Sequence, residues 1–257
     1  MLASLRILQL PALTLAALAL AACTPAPPDG GVNDPYEVTN RAVHAFNTDV
    51  DRALLRPLGQ ASTHLPEGIG EAIVTFSDNA SLPGMAVNNL LQGNLEDAGA
   101  NAARFVINTV FGLGGFGDPA AEIGLFERDT DFGETLAVWG FEEGAYVELP
   151  LFGPSTERDA AGQLVDILMD PLGGVGWALQ RDHSTAFWVG EKIVERGQFI
   201  ATVDGLLYES ADSYAQARLA YLQNRRFEVA GGSAAQDDDA GFVDPFADFV
   251  DPFAELE

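Results

Sequence analysis

The sequence predicts an all-α domain with at most a short β segment, and three observations predict it. Apolar residues recur at helical spacing in two long N-terminal stretches, glycine and proline punctuate further helical stretches towards the C-terminus, and only 146–151 reads as strand-like. Val43, Phe46, Val50 and Leu54 place one apolar face on a first helix. Asp34 is its expected N-cap and Pro35 its first helical residue, and the helix should end before Pro57. A second helix is expected from Pro66, with Ile69, Ile73, Phe76 and Ala80 on one face, continuing over 82–91 after a break at Pro83. Later helices are expected over 159–169, 184–207 and 212–229.

The middle of the chain is unusual for a soluble protein. From 98 to 117 there is a single charge, Arg104. A helix carrying Ala102, Phe105, Val106, Ile107, Val110 and Phe111 around its circumference reads as apolar all round, so burial in protein or in lipid is expected. Arg104 has two readings, a ligand for a phosphate headgroup or an ion pair with Asp97 or Asp118. Pairing is favoured, because buried charges are neutralised by protein. Gly112, Gly114, Gly115 and Gly117 follow in a loop able to reach positive φ, either a tight turn or a hinge. A second glycine-bearing apolar stretch, 171–179, contains Trp177. Glycines and the flanking Asp118 or Asp170 interrupt both stretches, so neither reads as a spanning helix. Re-entrant or interfacial insertion remains, with Trp177 and Trp188 as candidate interface anchors.

The N-terminus names a compartment. Leu20, Ala21, Ala22 and Cys23 close an apolar leader that follows Arg6, and Cys23 is the only cysteine. This reads as a bacterial lipobox, with a signal peptide over 1–22, cleavage before Cys23 and acylation of its thiol. Two or three acyl chains anchor stably. Thr24 stands where inner-membrane retention favours Asp in enterobacterial sorting, so the periplasmic face of the outer membrane is expected. Residues 23–33, rich in proline and glycine, form a flexible tether.

Charge then limits the partners. With 38 acidic and 13 basic residues the net charge is −25, which excludes phosphate-tracking nucleic-acid binding and a polybasic membrane patch. Lys192 is the single lysine. The tail, 231–257, holds FVDPFAD at 242–248 and FVDPFAE at 249–255, with eight acids and no base. It reads as a disordered segment that either docks a partner bivalently or solubilises.

No enzyme is expected. There is no G-x-S-x-G elbow, and Ser155 sits in GPST. His44, His64 and His183 are scattered without metal-ligand spacing, so no metal and no cofactor are expected. GPSTERD at 153–159 reads as a helix N-cap cluster.

Five stretches carry a family resemblance: DPYEVTNRAVHAFN at 34–47, LLQGN at 90–94, RFVINTVFGLGGFGDPA at 104–120, DFGETLAVWG at 131–140 and GAYVELPLFGPSTERDAAG at 144–162. In this order the chain resembles the MlaA/VacJ family of lipoproteins, over a body of 34–230. The resemblance implies a compact helical ring in the inner leaflet of the outer membrane, with an amphipathic channel through it. It implies retrograde phospholipid transport, in which misplaced lipid leaves the outer leaflet beside a trimeric porin and passes to a soluble periplasmic carrier. It also assigns Gly112, Gly114, Gly115 and Gly117 to the family's glycine-rich segment, read as a hinge that controls the channel. Two other readings stay open: an envelope scaffold without transport, and a lipid hydrolase with a triad assembled from distant residues.

Overall fold

The computed structural model describes residues 32–66, 68–169 and 181–231. Cys23, Trp177 and the tail repeats lie outside them. The expected fold class holds: helices dominate, with one two-stranded sheet.

The first helical run is longer than the sequence predicts. Helix α1 (Glu37–Val50), a π-helical turn (Asp51–Leu55) and α2 (Arg56–Ser62) follow one another without a break. Asp34 does not cap it. Its buried carboxylate is committed to Arg218 and accepts from Asn40 Nδ2 at 2.9 Å, so Tyr36 takes the N-cap position. Pro57 does not stop it either. The Arg56 N–H reaches back five residues to the Asp51 carbonyl, and this wider turn re-phases the ladder just before the proline. Pro57 then sits in the first turn of a new α segment, where a missing N–H is tolerated.

Helix α3 (Ile69–Leu91) starts after Gly68, which is left-handed at φ +82°, three residues later than Pro66. It runs through Pro83 where a break was expected. An interior proline costs about 3 kcal/mol. Packing of α3 along α4 (Leu95–Phe111) and against a later helix offsets that cost.

The hidden face of α4 is polar. Ala98, Asn101, Arg104 and Asn108 are buried, whereas Leu95, Val106, Val110 and Phe111 face outward. The helix is therefore not apolar all round. Its polar residues lie at i, i+3 and i+7, a spacing that collects them on one inward stripe. Asn101 closes both ends of a backbone pairing there, accepting from the Arg128 N–H at 3.0 Å and donating to the Arg128 carbonyl at 2.8 Å.

Two short helices follow, α5 (Pro119–Glu122) capped by Asp118 and α6 (Phe132–Val138) capped by Asp131. Strand β1 (Tyr146–Leu149) pairs antiparallel with β2 (Gly153–Thr156), Tyr146 opposite Thr156 and Leu149 opposite Gly153. The expected strand-like segment is thus half of a hairpin. GPST is its other half rather than a cap cluster, and only Thr156 caps, its Oγ1 accepting from the Asp159 N–H at 3.2 Å at the start of α7 (Glu157–Met169).

Helix α8 (Arg181–Gln198) packs on α3 and crosses α2 at Gly59 and Gly197. A Cβ on either glycine would run into the other's backbone, so only glycine permits this approach. The helix expected over 184–207 is divided at Phe199, followed by α9 (Ile200–Asp204) and a second π turn (Gly205–Glu209). Helix α10 (Ser213–Val229) is capped by Asp212, which accepts from the Ala215 N–H.

An apolar cluster exists around Tyr146, Tyr214 and Leu222. Elsewhere the usual partition is reversed. Among the described residues ten apolar side chains are buried against nineteen polar or charged ones, while thirty large apolar side chains are exposed. No described helix is long and apolar enough to cross a membrane.

Candidate functional site: an amphipathic cavity

A cavity of about 900 Å³ opens between α3, α7, α8 and the segment linking α5 to α6. Helical spacing aims the lining residues. Ser77, Ser81, Gly84 and Asn88 share a face of α3, Gln163, Asp166 and Ile167 one of α7, and Trp188, Glu191 and Lys192 one of α8. The lining has two characters. Met85, Val87, Phe132, Phe152, Ile167 and Trp188 are apolar, whereas Asp78, Glu127, Asp129, Asp166 and Glu191 are acidic around Lys192.

Hydrogen bonds position part of the acidic wall. Asp166 accepts from Asn88 Nδ2 at 2.9 Å and from the Phe132 N–H at 3.0 Å, which ties α7 to α3 and α6. Glu191 accepts from the Ser77 hydroxyl and pairs with Lys192 at 2.7 Å; Lys192 also reaches Glu195 at 2.9 Å. Burial, reinforced by neighbouring carboxylates, pushes Asp78 up to about 6 and Glu127 up to about 7. Asp129 and Asp166 are raised for the same first reason.

The candidate residues from the sequence fall around this cavity in different ways. Trp188 lines it, 40% exposed, with its ring 5.9 Å from that of Phe152. The glycine segment lies behind α3. Leu113, Gly114 and Gly115 are left-handed at φ +56°, +79° and +101°. The Gly114 N–H bonds the Thr109 carbonyl at 3.0 Å, and the Gly117 N–H bonds Gly112 at 2.9 Å. A Cβ at Gly112 would overlap the Gly117 carbonyl and one at Gly115 the Asn79 amide, whereas Gly114 faces open space. Phe116 stacks on Phe76 with centroids 4.6 Å apart and meets Phe187 edge-on at 5.6 Å, so the loop is clamped to the helices that wall the cavity.

Arg104 is buried in protein contacts. Its Nη2 meets Asp118 at 2.8 Å and its Nη1 donates to the Leu125 carbonyl. Of the two expected partners it takes Asp118; Asp97 pairs with Arg128 at 3.0 Å instead. Burial opposes the charge of Asp118, yet Arg104 and Asn108 hold it below the usual carboxylate range.

One constellation escaped the sequence. His44 is buried with Nδ1 2.9 Å from Glu148 Oε1 and Nε2 3.0 Å from Ser213 Oγ, and Glu148 accepts from the Tyr146 hydroxyl at 2.7 Å. His44 and Ser213 line a second hollow of about 530 Å³, together with Arg41 and Arg52. The three residues are over 60 positions apart, so no local spacing signals them. Ser155 is fully buried and His64 exposed. Among the described residues no group of side chains could hold a metal ion.

Known proteins are similar to this chain in sequence and in fold. The MlaA lipoprotein family matches residues 32–228. The intermembrane phospholipid transport system lipoprotein MlaA of Shigella flexneri is 35% identical over 231 residues, 88% of this chain and 90% of the relative. Its namesake in Escherichia coli (strain K12) is 34% identical with the same coverage, and that of Haemophilus influenzae 32% over 216 residues, 81% of this chain. A solved structure described under "Structural basis for maintenance of bacterial outer membrane lipid asymmetry" superposes with a TM-score of 0.66 at 34% identity, covering 76% of this chain and 98% of that one. A match over most of the body, in sequence and in fold, makes this chain a member of the MlaA lipoprotein family.

Proposed function

We propose that this protein removes mislocalised phospholipid from the outer leaflet of the outer membrane and passes it to a soluble periplasmic carrier. The observation that carries the reading is the reversed partition around an amphipathic cavity. Outward apolar faces suit acyl chains, and a lipid path needs an apolar wall for tails and a polar wall for the headgroup. Relatives named for intermembrane phospholipid transport support it. In this reading Cys23 carries the acyl anchor, Trp177 and Trp188 are interface anchors, and a trimeric porin is the neighbour in the membrane. The segment holding Gly112, Gly114, Gly115 and Gly117 is the hinge of the channel, with Gly114 its pivot. Arg104 serves structure rather than the headgroup, and transport proceeds without bond cleavage.

The test is surface-exposed phospholipid in a strain lacking the gene. A rise restored by wild type and not by Cys23→Ser is expected; unchanged surface lipid would return the protein to the scaffold reading.

The His44, Glu148 and Ser213 contacts favour a second reading, a hydrolase with Ser213 as nucleophile. His44 and Ser213 line the smaller hollow, and none of the three lines the 900 Å³ cavity. Release of fatty acid from labelled phospholipid, abolished in Ser213→Ala, is the result that would promote it.

A further inference from the structure

The mouth of the cavity carries a moving part, an inference that rests on reading the cavity as the lipid path. Phe152, from the turn between β1 and β2, and Trp188, from α8, both line the cavity, yet they stay 54% and 40% exposed. A side chain with one face in a cavity and the other in solvent stands at its opening. The two rings meet there, with centroids 5.9 Å apart and planes tilted by 34°. Phe152 is the one residue of the hairpin that lines the cavity among the described residues, and none of 112–117 does, so this contact is separate from the glycine segment.

The turn that presents Phe152 is strained. Leu151, immediately before it, is left-handed at φ +69°, a conformation disfavoured for leucine by roughly fivefold to thirtyfold. Gly153, immediately after it, is left-handed at φ +82° with open space where a Cβ would stand. Two contacts hold the turn in this position. One is the ring pair, and the other is the Leu151 N–H, which donates to Asn47 Oδ1 of α1 at 2.8 Å. An aromatic pair and a hydrogen bond each favour the contact by roughly twofold to tenfold. Strain and contacts are therefore of the same order, which is the condition for two positions that exchange. Backbone strain of this kind gathers at ligand clamps and switch segments.

We propose that Phe152 gates the passage of phospholipid acyl chains at the cavity mouth. Packed on Trp188 it narrows the opening, and swung out with its turn it admits or releases lipid. Trp188, carried by a helix, is the stationary partner, and the strain at Leu151 favours opening. Both surfaces at the gate are apolar rings, so it acts on the tails of the lipid.

The experiment uses the full acylated protein in detergent, loaded with a fluorescent phosphatidylethanolamine and chased with an excess of the unlabelled lipid, with release followed over time. Phe152→Cys and Trp188→Cys are combined in one protein and bridged by a short bis-thiosulfonate reagent, with the two single variants treated alike as controls. Bridging should slow release by about tenfold or more, because the gate is confined to its closed position, and a reductant should restore the rate. Trp188→Ala should release lipid about threefold faster, and Leu151→Gly, which relieves the strain of the closed turn, about fivefold slower. Release from the bridged protein at the unbridged rate, or a slowing that the reductant leaves in place, overturns the gate and leaves the lipid path standing. Absence of any bound lipid in the wild type overturns the path and the gate with it.

Discussion

Arg196 and Asp51 meet as a two-pronged ion pair across 145 positions of the chain, Nε to Oδ1 at 2.7 Å and Nη2 to Oδ2 at 3.0 Å. Both side chains are buried, and Asp51 also accepts from the Tyr208 hydroxyl at 2.6 Å. The pair joins the first π turn to α8 where Gly59 and Gly197 touch. Removing Asp51 leaves the buried Arg196 with Asp204 as its remaining carboxylate partner and takes away the acceptor of the Tyr208 hydroxyl, at about 3 kcal/mol, the low end for breaking a buried pair. Asp51→Ala should therefore lower Tm by about 10 °C, read by circular dichroism in detergent. An unchanged melt would mean that the glycine crossing alone holds these helices.

The glycine segment divides into positions that tolerate a side chain and positions that do not. Gly112→Ala puts a methyl into the Gly117 carbonyl and should cost several kcal/mol. Gly114→Ala meets open space and carries only the left-handed penalty of about 1–2 kcal/mol, so it should fold. Because Gly114 is the pivot in the proposed hinge, lipid uptake by the folded Gly114→Ala protein should slow. Wild-type uptake would leave the segment as a turn.

Leu113 is left-handed at φ +56° and 86% exposed, a conformation that favours glycine, with an apolar side chain directed outward. Leu113→Gly should stabilise the protein in detergent by about 1 kcal/mol and weaken its partition into vesicles by up to about tenfold, through loss of a leucine from the lipid phase. Co-sedimentation of a Cys23→Ser protein with vesicles isolates this contact from the acyl anchor.

Glu127 gives a pH signature. Its folded pKa, about 7, stands above the ordinary 4.5, so the folded state holds a proton that the unfolded chain releases. The stability it contributes is full below about pH 4.5 and declines as pH rises through about 7. Glu127→Gln should melt with the wild type at pH 4.5 and a few degrees higher at pH 7.5, discounted for the partial exposure of the carboxyl. Equal melting at both pH values would mean that Glu127 ionises freely.

The positions of the helices were legible wherever periodicity and capping agreed. Helix α10 falls within the expected 212–229, and the strand-like 146–151 is β1 with its turn. The misses are tertiary. Asp34 has the form of a cap but serves Arg218, almost two hundred residues away, and Pro57 and Pro83 have the form of stops but are carried by a π turn and by packing on both halves of α3. The cavity was half legible. Trp188 was chosen for its aromatic ring, whereas Asp78, Glu127 and Asp129 drew no notice in a chain with 38 acids, because only the fold shows which of them line a cavity. For α4 composition misled: a count of apolar residues cannot say that three polar ones share a stripe.

The reversed partition also bears on the passage of the chain before it reaches a bilayer. Thirty outward apolar side chains among the described residues are adhesive in an aqueous compartment, and copies meeting through them would aggregate. A net charge of −25 spread over the same molecule acts against this as a colloidal coat, keeping copies apart at distances up to the screening length of the surrounding salt. The acidity that excludes nucleic acid thus gives a greasy exterior its shelf life in water.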